Sequence, residues 1–265
     1  MNIALFREII DEIHPFISWL MLYFQGEPYL NPELFDMIRY ASGKRLYTVL
    51  STNAQHLDDE AAKKTVEAGP DRLIFSIDGT DQQTYETYRK GAILEKAITA
   101  ARHITEWKKR RAVEKPHTVF QFVVFKHNYM QISDIKRMGK ELGINEIQIK
   151  TAQVYDFSKA EMRLPEAREL SRYVKNRDGT YSIRSSLPNR CFRLWNSAVL
   201  TWDGRLLPCC FDKDGSYKID TWRPGRFKEI WKGADYRNFR ERILRSRKDI
   251  DICNNCTEGL RIRSS

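Results

Sequence analysis

No cysteine occurs among the first 190 residues, and no histidine follows His127. The two side chains most used for transition metals are therefore segregated, so a metal site in the C-terminal part must be built mainly from thiolates. Long apolar runs are also lacking: the longest, Phe16 to Phe24, has nine residues and includes Ser18. A membrane-spanning helix needs about 20, so none is expected. No charged segment followed by an apolar one opens the chain, so a secretory signal is not expected and the cytoplasm is the expected compartment. Acidic residues are the minority, 35 against 45 basic, for a net charge of +10. That excess admits an anionic partner. It is spread over solvated helix faces such as 108–111 and 237–248, where Phe239 is the one aromatic, too few for base stacking, so nucleic acid is not the expected partner. With 42% hydrophobic residues, the 265-residue chain can bury a sizeable core, which excludes global disorder.

What is present is an alternation. Short β-branched and aromatic runs at Trp19–Phe24, Leu46–Ser51, Arg72–Ile77, Thr118–Phe125 and Glu146–Lys150 read as strands. Between them lie helical stripes: Leu34, Phe35, Ile38 and Ala41 behind an Asn31 cap; a second opened by Asp58; Ile93 to Ala101; and Ile132 to Leu142, closed by Gly143. Strand and helix at this spacing predict βαβ units and a parallel sheet. The chain opens on a further stripe, Ile3, Phe6, Ile9, Ile10 and Ile13, with no strand before it. Beyond Lys150 the pattern changes. A polar loop over 151–165 leads to a helix expected from about Pro165 to Lys175, then a hairpin with Asp203-Gly204 as a type I′ turn, then one basic helix from about Phe227 to Arg247.

In parallel βα folds, ligands meet the C-terminal ends of the strands. Those ends carry Gln25-Gly26-Glu27-Pro28, Ser51-Thr52-Asn53, Ser76-Ile77-Asp78-Gly79, Lys126 and Asn128 (with Gln121 within the strand before them), and Lys150-Thr151. Each alone reads as a turn or a cap. Together, at consecutive strand ends, they suit a polar small-molecule cofactor.

The five cysteines are Cys191, Cys209, Cys210, Cys253 and Cys256. Cys191-x12-Gly204-x4-Cys209 spans the hairpin, and Cys253-x2-Cys256 supplies a second pair. Four thiolates satisfy a structural zinc or an iron–sulfur cluster equally well. Adjacent Cys209 and Cys210 are poorly placed to bind the same ion, so Cys209 is taken as the ligand and Cys210 as its alternative.

These segments together resemble radical S-adenosylmethionine (radical SAM) enzymes with a C-terminal SPASM or twitch auxiliary-cluster domain. The resemblance rests on Leu22-Tyr-Phe-Gln-Gly-Glu-Pro28, Ser51-Thr-Asn53, Phe75-Ser-Ile-Asp-Gly79, the cysteine spacing, and Phe227-Lys-Glu-Ile-Trp231. It implies an α/β fold: a partial (β/α)6 barrel lacking its first strand, with the opening helix as the first of its helices, plus a small Cys-rich domain with a β-hairpin and helix. The implied division is 1–155 for the barrel, 156–185 for a linker with a helix, and 186–265 for the auxiliary domain. Gly26, Glu27 and Pro28 match the motif that binds the SAM amino group. Ser76 and Asp78 match a strand end that helps hold its carboxylate or ribose, and Asn53, Gln121 and Arg89 are weaker matches near the same pocket. Cys191, Cys209, Cys253 and Cys256 are implied ligands of one 4Fe–4S auxiliary cluster.

The family's Cys-x3-Cys-x2-Cys, which binds the SAM-cleaving 4Fe–4S cluster, is not among these residues. The expectation is therefore a chain separated from that segment by a misassigned start codon or by trimming, and inactive alone. The intact protein would make a 5′-deoxyadenosyl radical and modify a peptide or protein, with a flavodoxin or ferredoxin as reductant. Two other readings stay open: a non-catalytic relative that binds a partner, and an RNA-binding protein with a four-cysteine zinc site.

Overall fold

The computed structural model describes residues 1–154, 164–256 and 258. Its contacts divide the chain into two compact units, Ile13–Thr151 and Met1–Glu12 together with Ala152–Ser265.

Ile13–Thr151 is built on five parallel strands: β1 (Trp19–Met21), β2 (Tyr47–Thr52), β3 (Arg72–Ser76), β4 (His117–Val124) and β5 (Glu146–Thr151). They lie side by side in chain order. Parallel neighbours need crossovers, and right-handed crossovers taken in strict sequence place their helices on one face, which curls the sheet into a half-barrel. The central strands read as nearly continuous apolar runs because side chains directed to either face are buried over much of their length; Leu73, Phe75, Val119, Phe120 and Phe122 are fully buried.

The intervening helices are α2 (Leu34–Gly43), α3 (Asp59–Ala68), α4 (Gln82–Tyr88), α5 (Leu94–Arg111) and α6 (Ile132–Glu141), with α1 (Ile3–Ile13) ahead of β1. Asp58 caps α3 by accepting from Ala61 N at 2.8 Å, and Gly143 turns the chain after α6 at φ +70°. Asn31 is not the cap of α2. Glu33 stands there, while Asn31 Oδ1 accepts from Glu33 N at 3.0 Å one turn earlier. Helix α4 went unread because Tyr85 is its one buried residue, too little to make a stripe.

In the other unit, the helix expected over 165–175 does not form. A 3-10 turn, Arg168–Leu170, precedes β6 (Tyr173–Lys175), which pairs antiparallel with β7 (Tyr181–Ile183). The missed signal was Asp178-Gly179, with Gly179 at φ +83° turning a hairpin. The polar loop expected over 151–165 lies for the most part outside the described residues. After α7 (Arg193–Asn196), β8 (Val199–Leu200), β9 (Arg205–Leu207) and β10 (Asp220–Thr221) form a small antiparallel sheet.

The β8–β9 turn is not type I′, because Asp203 is not at positive φ. Thr201 instead pairs with Arg205 across three residues, Gly204 N donating to Thr201 O at 3.0 Å and Gly204 taking φ +80°. The expected single basic helix is two, α8 (Phe227–Lys232) and α9 (Ala234–Ser246). They break at Gly233, where a Cβ would stand 3.1 Å from the carbonyl oxygens of Glu229 and Ile230. Glu12, at the end of α1, accepts from Phe227 N at 2.6 Å, Trp222 Nε1 at 2.9 Å and Gly225 N at 3.1 Å, and so caps α8. Among the described residues no helix is long and apolar enough to cross a membrane.

Candidate functional site

Within Ile13–Thr151 the polar groups gather where the parallel strands end. Gly26 follows β1 at φ +87°, a conformation open to glycine, and delivers Glu27 to the end of β2. Thr52 Oγ1 donates to Glu27 Oε1 at 2.6 Å and Asn53 N donates to Oε2 at 2.8 Å. Tyr29 N also donates to Oε1, at 3.3 Å, so the same carboxylate caps the 3-10 turn Pro28–Leu30. A carboxylate offers about four acceptor positions, and three are used here.

Asn53 Oδ1 accepts from Gln55 N at 3.0 Å. Gln55, unnoticed in the sequence, exchanges two hydrogen bonds with the backbone of Ile93, at 2.9 and 3.1 Å, fastening the start of α5 to the end of β2. Ser76 is the register partner of Gln121, and Gln121 that of Gln148. Gln121 Nε2 donates to Gln148 Oε1 at 3.0 Å. The result is a polar row across β3, β4 and β5. Gln148 was also missed, because only strand register places it beside Gln121.

Asp78 is fully buried. Its Oδ1 accepts from Val123 N at 2.8 Å, and its Oδ2 faces Arg89 Nε at 2.7 Å. Asn128, also fully buried, donates to the carbonyls of Asp78 and Val123, each at 2.9 Å, and accepts from Phe125 N at 2.7 Å. Burial pushes the Asp78 carboxyl up, against the opposing pull of Arg89 and the Val123 N–H. Asp78, Arg89 and Asn128 therefore form a knot tying the ends of β3, β4 and α4, while Glu27, Asn53, Ser76 and Gln121 stay partly exposed. The knot and Glu27 share one neighbourhood: Arg89, Asp78 and Glu27 all act on the buried phenol of Tyr85.

The five thiols form the second constellation. All are free, and Cys191, Cys253 and Cys256 are buried. Cys253 lies within electrostatic range of Cys256 and Cys191, and Cys209 within range of Cys210 and Cys256. Burial pushes the Cys253 thiol up to about 12 and raises Cys256 as well. The neighbours Cys209 and Cys210 act on each other in opposite directions. Cys210 is drawn down by the hydrogen bond from Cys209 and by Arg193, whose NH1 donates to its Sγ at 3.5 Å, and Cys209 is raised in turn.

Among the described residues no three His, Cys, Asp or Glu side chains converge to hold a single metal ion. An iron–sulfur cluster asks for a different arrangement, with thiolates spread around a group of irons rather than meeting at one ion. The donor set fits such a group: thiolate-only, unbridged, and with three of its four proposed members buried. Two guanidinium groups also flank it, Arg193 beside Cys210 and Arg247 beside Cys253 and Cys256.

Two family models match the chain, one described as the radical SAM superfamily over residues 1–139 and one as an iron–sulfur cluster-binding domain, SPASM, over residues 191–257. A tungsten-containing aldehyde ferredoxin oxidoreductase cofactor-modifying protein of Pyrococcus furiosus is 27% identical over 91% of this chain and 75% of its own length. The PqqA peptide cyclase of Gluconobacter oxydans is 27% identical over 69% of this chain and 54% of its own. An AdoMet-dependent heme synthase of Methanosarcina barkeri is 30% identical over 52% and 38%. The chain thus spans three quarters of the first relative, but only about half and two fifths of the other two.

Among solved structures, native anSMEcpe with bound AdoMet superimposes with a TM-score of 0.64 at 15% identity, over 100% of this chain and 83% of that one. Streptococcus suis SuiB bound to its precursor peptide SuiA gives 0.63 at 13% identity, over 91% and 60%. At such identity they speak for the fold: an α/β half-barrel with small antiparallel sheets after it. The chain belongs to the radical SAM superfamily, whose cofactors are SAM and 4Fe–4S clusters, and carries an iron–sulfur cluster-binding SPASM domain.

Proposed function

We propose that this chain is the SAM-binding and auxiliary-cluster part of an enzyme that modifies a peptide or protein by radical chemistry. The observation that carries the reading is the run of polar groups at consecutive ends of one parallel sheet, followed in the chain by a mostly buried, thiolate-only donor set. Peptide substrates are favoured because relatives include a PqqA peptide cyclase and a fold neighbour is a structure with a bound precursor peptide.

On this reading residues 1–155 belong to the barrel, 156–185 link it onward, and 186–265 hold the auxiliary cluster. Gly26, Glu27, Pro28, Asn53, Ser76 and Gln121 face SAM. Glu27 has an acceptor position left for the SAM ammonium group, and the partly exposed amides and hydroxyl answer its carboxylate and ribose. Asp78 and Arg89 act one step back by fixing the strand ends that carry those groups. Cys191, Cys209, Cys253 and Cys256 hold the auxiliary cluster, and a flavodoxin or ferredoxin in the cytoplasm is the fitting reductant. A SAM-cleaving cluster supplies the electron that breaks a carbon–sulfur bond of SAM, and the three-cysteine loop for it is not among residues 1–265.

The test follows from that division. The 265-residue chain with dithionite and SAM is expected to release no 5′-deoxyadenosine. Joined to an N-terminal strand and Cys-x3-Cys-x2-Cys loop, it should load a second cluster and release it. A joined protein that loads both clusters and leaves SAM intact would overturn the reading.

A further inference from the structure

Arg247 follows α9 in the 3-10 turn Arg247–Asp249 and is 1% exposed, the bulkiest fully buried side chain among the described residues. Its guanidinium cannot shed its charge in a protein, and a buried charge demands an anion nearby. Its hydrogen bonds go elsewhere. NH1 donates to Arg190 O at 2.7 Å, and NH2 donates to Cys256 O at 2.8 Å and Glu258 O at 3.1 Å. All three acceptors are neutral carbonyls, and Nε is buried with no partner. Among the described residues no carboxylate forms an ion pair with it.

The position of those carbonyls is informative. Arg190 immediately precedes Cys191, Cys256 is itself a proposed ligand, and Glu258 lies two residues beyond it. The guanidinium therefore staples the Cys191 loop to the Cys253–Cys256 loop. The ionisable groups it acts on there are the thiols of Cys253 and Cys256. Arg193, the other guanidinium near the cysteines, differs. Its side chain is 40% exposed and already paired with Glu258 Oε2 at 2.9 Å.

We propose that Arg247 is the built-in counter-charge of the auxiliary iron–sulfur cluster. The proposal rests on the cluster assignment above. A 4Fe–4S group on four thiolates is a net anion and gains one further negative charge on reduction. A fixed cation sealed from water favours the reduced form, because low local polarity leaves the attraction unscreened. Arg247 thus positions the ligand loops and raises the cluster's reduction potential, without binding the cluster itself.

The experiment is an anaerobic redox titration of the iron-loaded full chain, read by electron paramagnetic resonance and visible absorption, for wild type, R247Q, R247K and R193Q. R247Q keeps hydrogen-bonding capacity and loses the charge. Its midpoint potential should move to more negative values, while R247K stays nearer to wild type and R193Q moves less than R247Q. The potential is read on whatever fraction loads. R247Q failing to load while R247K loads supports the same role, and failure of both overturns it in favour of the staple alone. An unmoved potential in loaded R247Q, R247K moving as far as R247Q, or R193Q moving furthest would each overturn the proposal. A wild-type chain that takes up no iron marks a failure of the ligand assignment and is seen before any variant is compared.

Discussion

Truncating Glu27 tests the sheet-end site without any ligand present. Its half-buried carboxylate receives Thr52 Oγ1 at 2.6 Å, Asn53 N at 2.8 Å and Tyr29 N at 3.3 Å. Hydrogen bonds to a charged acceptor contribute about 1.5–3 kcal/mol each when well formed. The three share one carboxylate and solvent reaches it, so their sum is not additive. Glu27→Ala should cost about 2–4 kcal/mol, a large part of the roughly 5–15 kcal/mol that holds a typical domain. Glu27→Gln keeps one oxygen for Thr52 and Tyr29 but turns an amide N–H toward the Asn53 N–H. It should cost about 1.5–3 kcal/mol, because one donor is left facing another. Urea denaturation followed by circular dichroism reads both as shifts of the midpoint at unchanged slope. Glu27→Ala within about 0.5 kcal/mol of wild type, the range of an ordinary surface substitution, would refute the claim that Glu27 ties the β1 loop to β2.

Asp78 should behave in the opposite way to a surface ion pair. Burial raises its folded-state pKa above 3.8, so its contribution to stability is fully present below that ordinary value and is lost as pH rises through the raised one. Asp78→Asn, which still accepts from Val123 N, should fall within about 1 kcal/mol of wild type at neutral pH and flatten that part of the pH profile. Asp78→Ala should cost about 2–4 kcal/mol by leaving the buried Val123 N–H unpaired; a loss of about 3 kcal/mol or more in the asparagine variant would show that the Arg89 pair dominates. Gly79→Ala should be poorly tolerated, since its Cβ would stand 2.4 Å from Tyr85 N, a backbone atom. A thermal scan of Gly79→Ala matching wild type would contradict that packing.

Strand positions in the half-barrel were legible because buried parallel strands leave β-branched and aromatic runs, and all five lie within a few residues of the expected spans. Caps with a side-chain signature, such as Asp58, were legible as well. Other features depend on partners distant in sequence. Gly233 leaves the helical path at ψ 170°, where a side chain would crowd the carbonyl oxygens of Glu229 and Ile230, a constraint that hydrophobic periodicity does not register, and Glu12 caps α8 from 215 residues away. Residue type pointed to Asp78, but its burial and its Arg89 partner came from the fold. Gln55 and Gln148 carry no motif and emerge from loop geometry and strand register. Arg247 looked like one more cation on a basic helix until its burial set it apart.

The central claim is that Cys191, Cys209, Cys253 and Cys256 hold one iron–sulfur cluster in this chain. It is tested most directly by iron, sulfide and zinc analysis with visible spectroscopy after anaerobic reconstitution. Wild type should be brown, with about four irons and four sulfides per chain. Cys253→Ala should lose the colour and the iron, and Cys210→Ala should keep most of both. Stoichiometric zinc with no iron uptake, or a cluster lost equally on Cys210→Ala, would contradict the account.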